Sequence, residues 1–125
     1  MTAKKILIVD DEKNMLDVLR KKMKEDGYEV LLATNGQEAG EKIFQEHPDL
    51  ILLDILLPKV SGIEVCKRMK AENGLAKVPI IFFTSIDTPK NLIDFAGYGA
   101  VDYLHKSIPP ETLVEQIRSA IQTVA

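Results

Sequence analysis

Asp54 follows the apolar run Leu50-Ile51-Leu52-Leu53 and precedes Ile55-Leu56-Leu57-Pro58, so one carboxylate stands in hydrophobic surroundings. Burying an unpaired carboxylate is costly, which marks the position as a functional candidate. Asp10 and Asp11 close a second apolar run, Thr84 closes a third, and Lys106 lies just beyond a fourth. Three acids brought together repel one another and resist ionisation unless a cation intervenes. Oxygen donors without neighbouring His or Cys favour Mg²⁺, which takes one or two carboxylates, keeps several waters and leaves room for a phosphate. Such a group suits Mg²⁺-assisted phosphoryl chemistry, with a carboxylate as nucleophile and Lys and Thr stabilising the charge on the phosphoryl group.

Those residues meet only if the elements between them bring them to one edge. Five apolar runs recur, at 6–9, 30–33, 50–53, 80–83 and 101–104, and the run before Asp54 reads as a fully buried, parallel-type strand. Helical marks lie between the runs. Asp10 or Asp11 suits the cap of a helix with Met15, Leu16, Leu19 and Met23 on one face, stopped by Gly27. Residues 37–46 form a weaker helix with Ala39, Ile43 and Phe44 inward; Gly40 inside it costs about 1 kcal/mol relative to Ala, so the spacing predicts either close packing there or a soft helix. Ile63, Cys66 and Met69 mark a third helix that ends before Asn73-Gly74. Asp87-Thr88-Pro89 opens a short fourth, which soon meets Gly97 and Gly99. Pro110 opens the last, lined by Leu113, Ile117, Ala120, Ile121 and Val124.

Strict alternation of strand and helix predicts an α/β fold, a doubly wound parallel sheet of five strands with five helices. In a parallel sheet the carboxyl ends share one edge, where open α/β sheets place their ligands. Asp10, Asp11, Asp54, Thr84 and Lys106 all fall at such ends, which predicts a single crevice.

At 125 residues the chain fits one domain, 1–125, with a core that needs no staples. A formal charge of -3 with 28% charged residues gives neither a nucleic-acid footprint nor a disordered polyelectrolyte. Cys66 alone excludes an internal disulfide and reads as a small buried hydrophobe. The four apolar residues after Lys5 are too few for a signal peptide or a membrane span, so a soluble cytoplasmic protein without membrane contact is expected. The basic stretch Arg20-Lys21-Lys22-Met23-Lys24 reads as a solvated helix face, and His47 and His105 read as surface residues.

From about Lys4 onward the chain resembles the receiver domain of bacterial two-component response regulators, the group that includes the single-domain chemotaxis receiver. The resemblance rests on Ile6-Leu7-Ile8-Val9-Asp10-Asp11, on Pro48-Asp49 leading to Asp54, on Leu57-Pro58 with Gly62 four residues on, on Val78-Pro79 leading to Thr84-Ser85, and on Gly99-Ala100-Val101-Asp102-Tyr103-Leu104-His105-Lys106. It implies the flavodoxin-like strand order 2-1-3-4-5 and a phosphorelay role. Asp54 would accept a phosphoryl group from a sensor histidine kinase, a phosphotransfer protein or a small phosphodonor. Asp11 and Asp54 would bind Mg²⁺ with the backbone carbonyl of Leu56, and Asp10 would act mostly through water. Lys106 would pair with the phosphoryl group and Thr84 would donate its hydroxyl. Tyr103 would follow Thr84 and reshape the face of the fourth and fifth helices and the fifth strand for a downstream protein or effector domain, making the chain a self-phosphorylating switch and not an enzyme on other substrates.

Some positions depart from the family's pattern. Ser107 follows the lysine where the family usually has Pro joined by a cis bond. Leu56 and Ile86 flank the expected path of a hydrolytic water, and both are apolar, which predicts slow autodephosphorylation. Gly40 replaces a common aliphatic residue. Other functions stay open on the residues alone. A phosphatase of the aspartate-nucleophile type would need an acid two residues after Asp54, where Leu56 stands; a flavin binder would need phosphate donors where Asp11-Glu12-Lys13-Asn14 is acidic. A receiver-like protein-binding module that takes no phosphate is the remaining alternative.

Overall fold

Buried strands need apolar residues on both sides, and the runs supply them. A computed structural model of the chain describes residues 3–58, 60–71, 77–86 and 94–124. Five strands, β1 (Lys5–Val9), β2 (Glu29–Ala33), β3 (Leu50–Leu53), β4 (Ile80–Thr84) and β5 (Asp102–His105), pair in parallel in the order β2-β1-β3-β4-β5. Successive side chains point to opposite faces. Leu7, Val9, Ile51, Leu53, Ile80 and Phe82 therefore enter one core, whereas Ile6, Ile8, Leu50, Leu52, Ile81 and Phe83 enter the other.

Helices cover both cores. On one face α1 (Lys13–Glu25) contributes Leu16, Leu19 and Met23, and α4 (Pro110–Val124) contributes Leu113, Ile117 and Ile121. On the opposite face α2 (Gly36–Glu46) contributes Ala39 and Ile43, and α3 (Gly62–Ala71) contributes Val65, Cys66 and Met69. The result is the flavodoxin-like, doubly wound arrangement expected, with four helices among the described residues. The helix expected from Asp87-Thr88-Pro89 falls on 87–93, and Asn73-Gly74 and the side chain of Val124 likewise lie outside the described residues. Residues 95–99 form turns, with Ala100 N–H donating to Phe95 O at 2.9 Å.

The local signals differ from expectation at three places. The cap of α1 is Glu12, without a side-chain cap bond; Asp10 instead accepts the Glu12 N–H at 3.0 Å, a turn that leads the chain from strand into helix. Asn35 caps α2 by accepting the Glu38 N–H at 2.9 Å, so that helix begins one residue earlier. Phe44 is not inward: it is 69% exposed, because Ala39 and Ile43 alone face the sheet. Gly27 ends α1 at φ 92°, and its N–H donates to Lys24 O, as its sequence position implied. The basic stretch of α1 is solvated around buried Met23, with Lys22 paired to Glu111 at 3.4 Å. His47 is the left-handed cap of α2, exposed at φ 50°.

Candidate functional site

Asp10, Asp54 and Lys106 reach one rim because the backbone ladders run one step past the strands. Asp10 N–H donates to Ala33 O at 3.0 Å, Asp54 N–H to Val9 O at 3.0 Å and Lys106 N–H to Thr84 O at 2.8 Å. This rim sits over β1 and β3, where the strand order reverses and the helices diverge to open a crevice. Asp10, Asp54 and Thr84 are the buried polar side chains among the described residues, at 1%, 3% and 0% exposure. Asp11 is exposed beside them.

Lys106 is the centre of the charge arrangement. Its Nζ lies 2.7 Å from Asp10 Oδ2 and 2.9 Å from Asp54 Oδ2, with Glu12 Oε1 at 3.5 Å. Burial alone would lower the pKa of the Lys106 amine; contact with Asp10 and Asp54 outweighs it and raises the value above normal. Asp10 fares differently. Burial raises its carboxyl pKa, and the bonds from Lys106 and the Glu12 N–H offset only part of that. Asp10 Oδ2 forms its ion pair with the Lys106 ammonium, and Oδ1 accepts the Glu12 N–H at 3.0 Å. Asp54 is held in the same way: Oδ1 accepts the Leu56 N–H at 3.1 Å while Oδ2 accepts from Lys106.

Carboxylate oxygens of Asp10, Asp11 and Asp54 lie within 4.8 Å of one another. Three carboxylates against one ammonium leave negative charge in excess, and two of the three, Asp10 and Asp54, are buried. An all-oxygen set of this size, open to solvent through Asp11, fits a hard divalent cation such as Mg²⁺.

Thr84 and Tyr103 meet on a single residue. Thr84 Oγ1 accepts the Ile86 N–H at 3.3 Å, and the Tyr103 hydroxyl lies 3.5 Å from the carbonyl oxygen of Ile86. Tyr103, opposite Phe82 on β4, is 4% exposed. The Lys106-Ser107 bond is trans, since no cis peptide occurs among the described residues, and Nζ reaches both aspartates nonetheless. His105 is part-buried, with Nδ1 2.7 Å from Ser107 Oγ.

Two contributors were not singled out by residue chemistry. Glu12 reaches Lys106 as well as starting α1; its only sequence signal was its place after two aspartates. Gly62 supports the loop after Asp54: its N–H donates to Ile55 O at 2.8 Å, and a Cβ there would press into the Asp54 carbonyl, 2.8 Å from its carbon. Only the fixed distance from Pro58 hinted at it.

Comparison with known proteins agrees with this geometry. The response regulator receiver domain family matches residues 6–118. The alkaline phosphatase synthesis transcriptional regulatory protein PhoP of Bacillus subtilis is 36% identical over 119 residues, covering 95% of this chain and 49% of its own length. The chain thus spans about half the length of the curated relatives it matches. Among solved structures, a putative response regulator from Chloroflexus aurantiacus aligns with TM-score 0.90 at 31% identity, covering 97% of this chain and 99% of the other. A CheY-like receiver domain protein from Methanospirillum hungatei gives 0.89 at 30% identity, covering 98% and 97%. No helix among the described residues is long and apolar enough to cross a membrane. With family match, strand order and acidic rim in agreement, this chain belongs to the response regulator receiver domains of two-component systems.

Proposed function

We propose that residues 1–125 act as a single receiver domain that takes a phosphoryl group onto Asp54 and changes its protein contacts in response. The observation that carries this reading is the bridging of Asp54 and Asp10 by the Lys106 ammonium, at 2.9 and 2.7 Å, inside a cluster of three carboxylates. Asp54 is the acceptor because the Leu56 N–H and Lys106 hold its carboxylate at the strand end, within the cluster of three carboxylates. A carboxylate oxygen of Asp54 attacks phosphorus; the new O–P bond forms as the bond to the donor breaks, and the electron pair leaves with the donor's nitrogen or oxygen. Lys106 then pairs with the phosphoryl oxygens, a charge-assisted contact stronger than a neutral one. Asp11, Asp54 and the backbone carbonyl of Leu56 would hold Mg²⁺ directly, with Asp10 acting through water. When bound, that ion offsets negative charge on the attacking and transferring oxygens.

Thr84 connects the site to the surface. To donate its hydroxyl to the phosphoryl group it turns away from the Ile86 N–H, and the Ile86 peptide also carries the carbonyl facing the Tyr103 hydroxyl. Tyr103 then repacks, altering the face formed by β5 and α4. Moving a population from 1:99 to 99:1 requires about 5.5 kcal/mol of preference, supplied by the new bonds from Thr84 and Lys106 together with that repacking.

The donor is a sensor histidine kinase, a phosphotransfer protein or a small phosphodonor such as acetyl phosphate, and the output is a downstream protein or effector domain. The formal charge of -3 speaks against nucleic-acid contact through this chain. A cytoplasmic setting follows from that donor chemistry. Incubation with Mg²⁺ and acetyl phosphate, followed by intact-mass measurement, tests the reading. One phosphoryl group is expected on the wild-type chain and none on Asp54→Asn. An unmodified wild type would favour a receiver-like binding module that takes no phosphate.

A further inference from the structure

Away from the acidic rim, α2 and α3 enclose a groove of about 520 Å³ whose floor is apolar, with Val65, Met69 and Ile43 at its base. One wall is the exposed side of α2, which carries Gly36, Gly40 and Phe44, spaced four residues apart along a single helix face. Phe44 stands 69% exposed at one end of this line. Nothing among the described residues comes within 4 Å of a Cβ built on Gly40, so packing within the chain does not account for the glycine. Glu41 lines the same wall, and Arg68 of α3 lines the opposite one. Among the described residues Arg68 pairs with Glu64, one helical turn away at 3.5 Å, with both side chains at least half exposed. Such a pair is weak and readily exchanged.

We propose that this groove is a self-association surface, in which two copies of the chain pair through α2 about a two-fold axis passing near Gly40. The occupant is a second copy because knob and hole lie on one face at matching distances from Gly40. An antiparallel crossing of two α2 helices sets Phe44 over the partner's Gly36, and the reciprocal contact follows from symmetry. At the axis the two Gly40 residues let the backbones approach closely. Beneath the partner's Gly36 lie Val60 and Val65, near 3.5 and 3.0 Å from where its Cβ would be, so the phenyl ring meets an apolar floor. Charge is complementary in the same arrangement: Glu41 on one α2 faces the partner's Arg68 on α3. An aromatic anchor and an arginine are the side chains that most often dominate interface energy. The surface is separate from the phosphoryl crevice and does not depend on it.

Sedimentation velocity of the full chain from about 10 μM to about 1 mM, the range in which a small interface associates, tests the proposal. The wild type is expected to move from monomer to dimer across that range. Gly40→Gln and Phe44→Glu are each expected to raise the dissociation constant at least tenfold. Gly40→Gln supplies a better helix former on an exposed face, so its unfolding temperature should not fall, which separates loss of pairing from loss of fold. Glu41→Arg and Arg68→Glu should each weaken the dimer and together restore it. A wild type that stays monomeric throughout would overturn the proposal, as would a dimer indifferent to both Gly40→Gln and Phe44→Glu, or a charge reversal that fails to restore pairing.

Discussion

Lys106 faces more negative charge than it can neutralise, and its replacement therefore reports on the whole cluster. Lys106→Ala leaves Asp10 and Asp54 buried without a cation. We expect a loss of about 3 kcal/mol in metal-free buffer, at the low end for a broken buried pair because the rim opens to solvent. The pKa of Lys106 is raised in the folded state, so its contribution is fully present below the ordinary value of 10.5 and disappears only as pH rises through the higher folded value. Urea unfolding in a pH series should show a difference between wild type and variant that is constant across neutral pH and narrows above about pH 10.5. A difference that vanished between pH 6 and 8 would mean that Lys106 is not engaged by the aspartates. Leu56 carries the second residue-scale prediction. Neither it nor Ile86 has a side chain able to orient water, so the aspartyl phosphate should persist far longer than seconds, and Leu56→Gln should shorten its lifetime. Decay followed by intact mass measures this. Leu56 and Ile86 were marked only by the family resemblance, whereas the sharing of one edge by Asp10, Asp11, Asp54 and Lys106 was legible from strand ends. Which of two adjacent acids is buried was not: Asp10 is 1% exposed and Asp11 is at the surface, a consequence of how the Glu12 turn rotates the chain as it leaves β1.

At the scale of elements, two glycines within helices have opposite meanings. Gly62 opens α3 against the backbone of Asp54 and Ile55, where a Cβ has no room, whereas Gly40 lies in α2 with open space around it. Gly62→Ala should cost about 2 to 3 kcal/mol by overpacking against backbone and should slow phosphorylation, because the displaced loop carries the Asp54 carbonyl and the Leu56 N–H. Gly40→Ala should stabilise by about 1 kcal/mol, the ordinary helix preference, and leave phosphorylation unchanged. Equal effects of the two substitutions in denaturant titrations would contradict both assignments. Sequence periodicity distinguished neither case, since it registers a glycine only as a helix penalty. It also misplaced Phe44, because apolar residues at 39, 43 and 44 suit a broad buried stripe while the sheet beneath α2 receives only Ala39 and Ile43. Strands were easier to read. Runs buried on both faces carry no alternation to misjudge, and β3 spans Leu50–Leu53, the same four residues as its apolar run.

For the molecule as a whole, alternation of strand and helix was enough to predict one parallel sheet with a single functional edge, and the sheet order places that edge over β1 and β3. The edge concentrates negative charge in a chain whose formal charge is already -3, so the apo fold is held against repulsion at one end. A ligand that binds only the folded state stabilises it by RT ln(1 + [L]/Kd), about 1.4 kcal/mol at ten times the dissociation constant. Mg²⁺ at that level should produce this gain in urea unfolding, and Na⁺ at matched ionic strength should not, because screening acts on exposed charges and the cluster is largely buried. Asp11→Ala is the informative control. Asp11 is exposed, and its carboxylate belongs to the oxygen set. Its removal should leave apo stability unchanged or slightly raised by relief of repulsion, and should abolish the Mg²⁺ increment. An equal increment in Asp11→Ala would place the ion elsewhere on the molecule and remove the acidic rim from the phosphoryl chemistry.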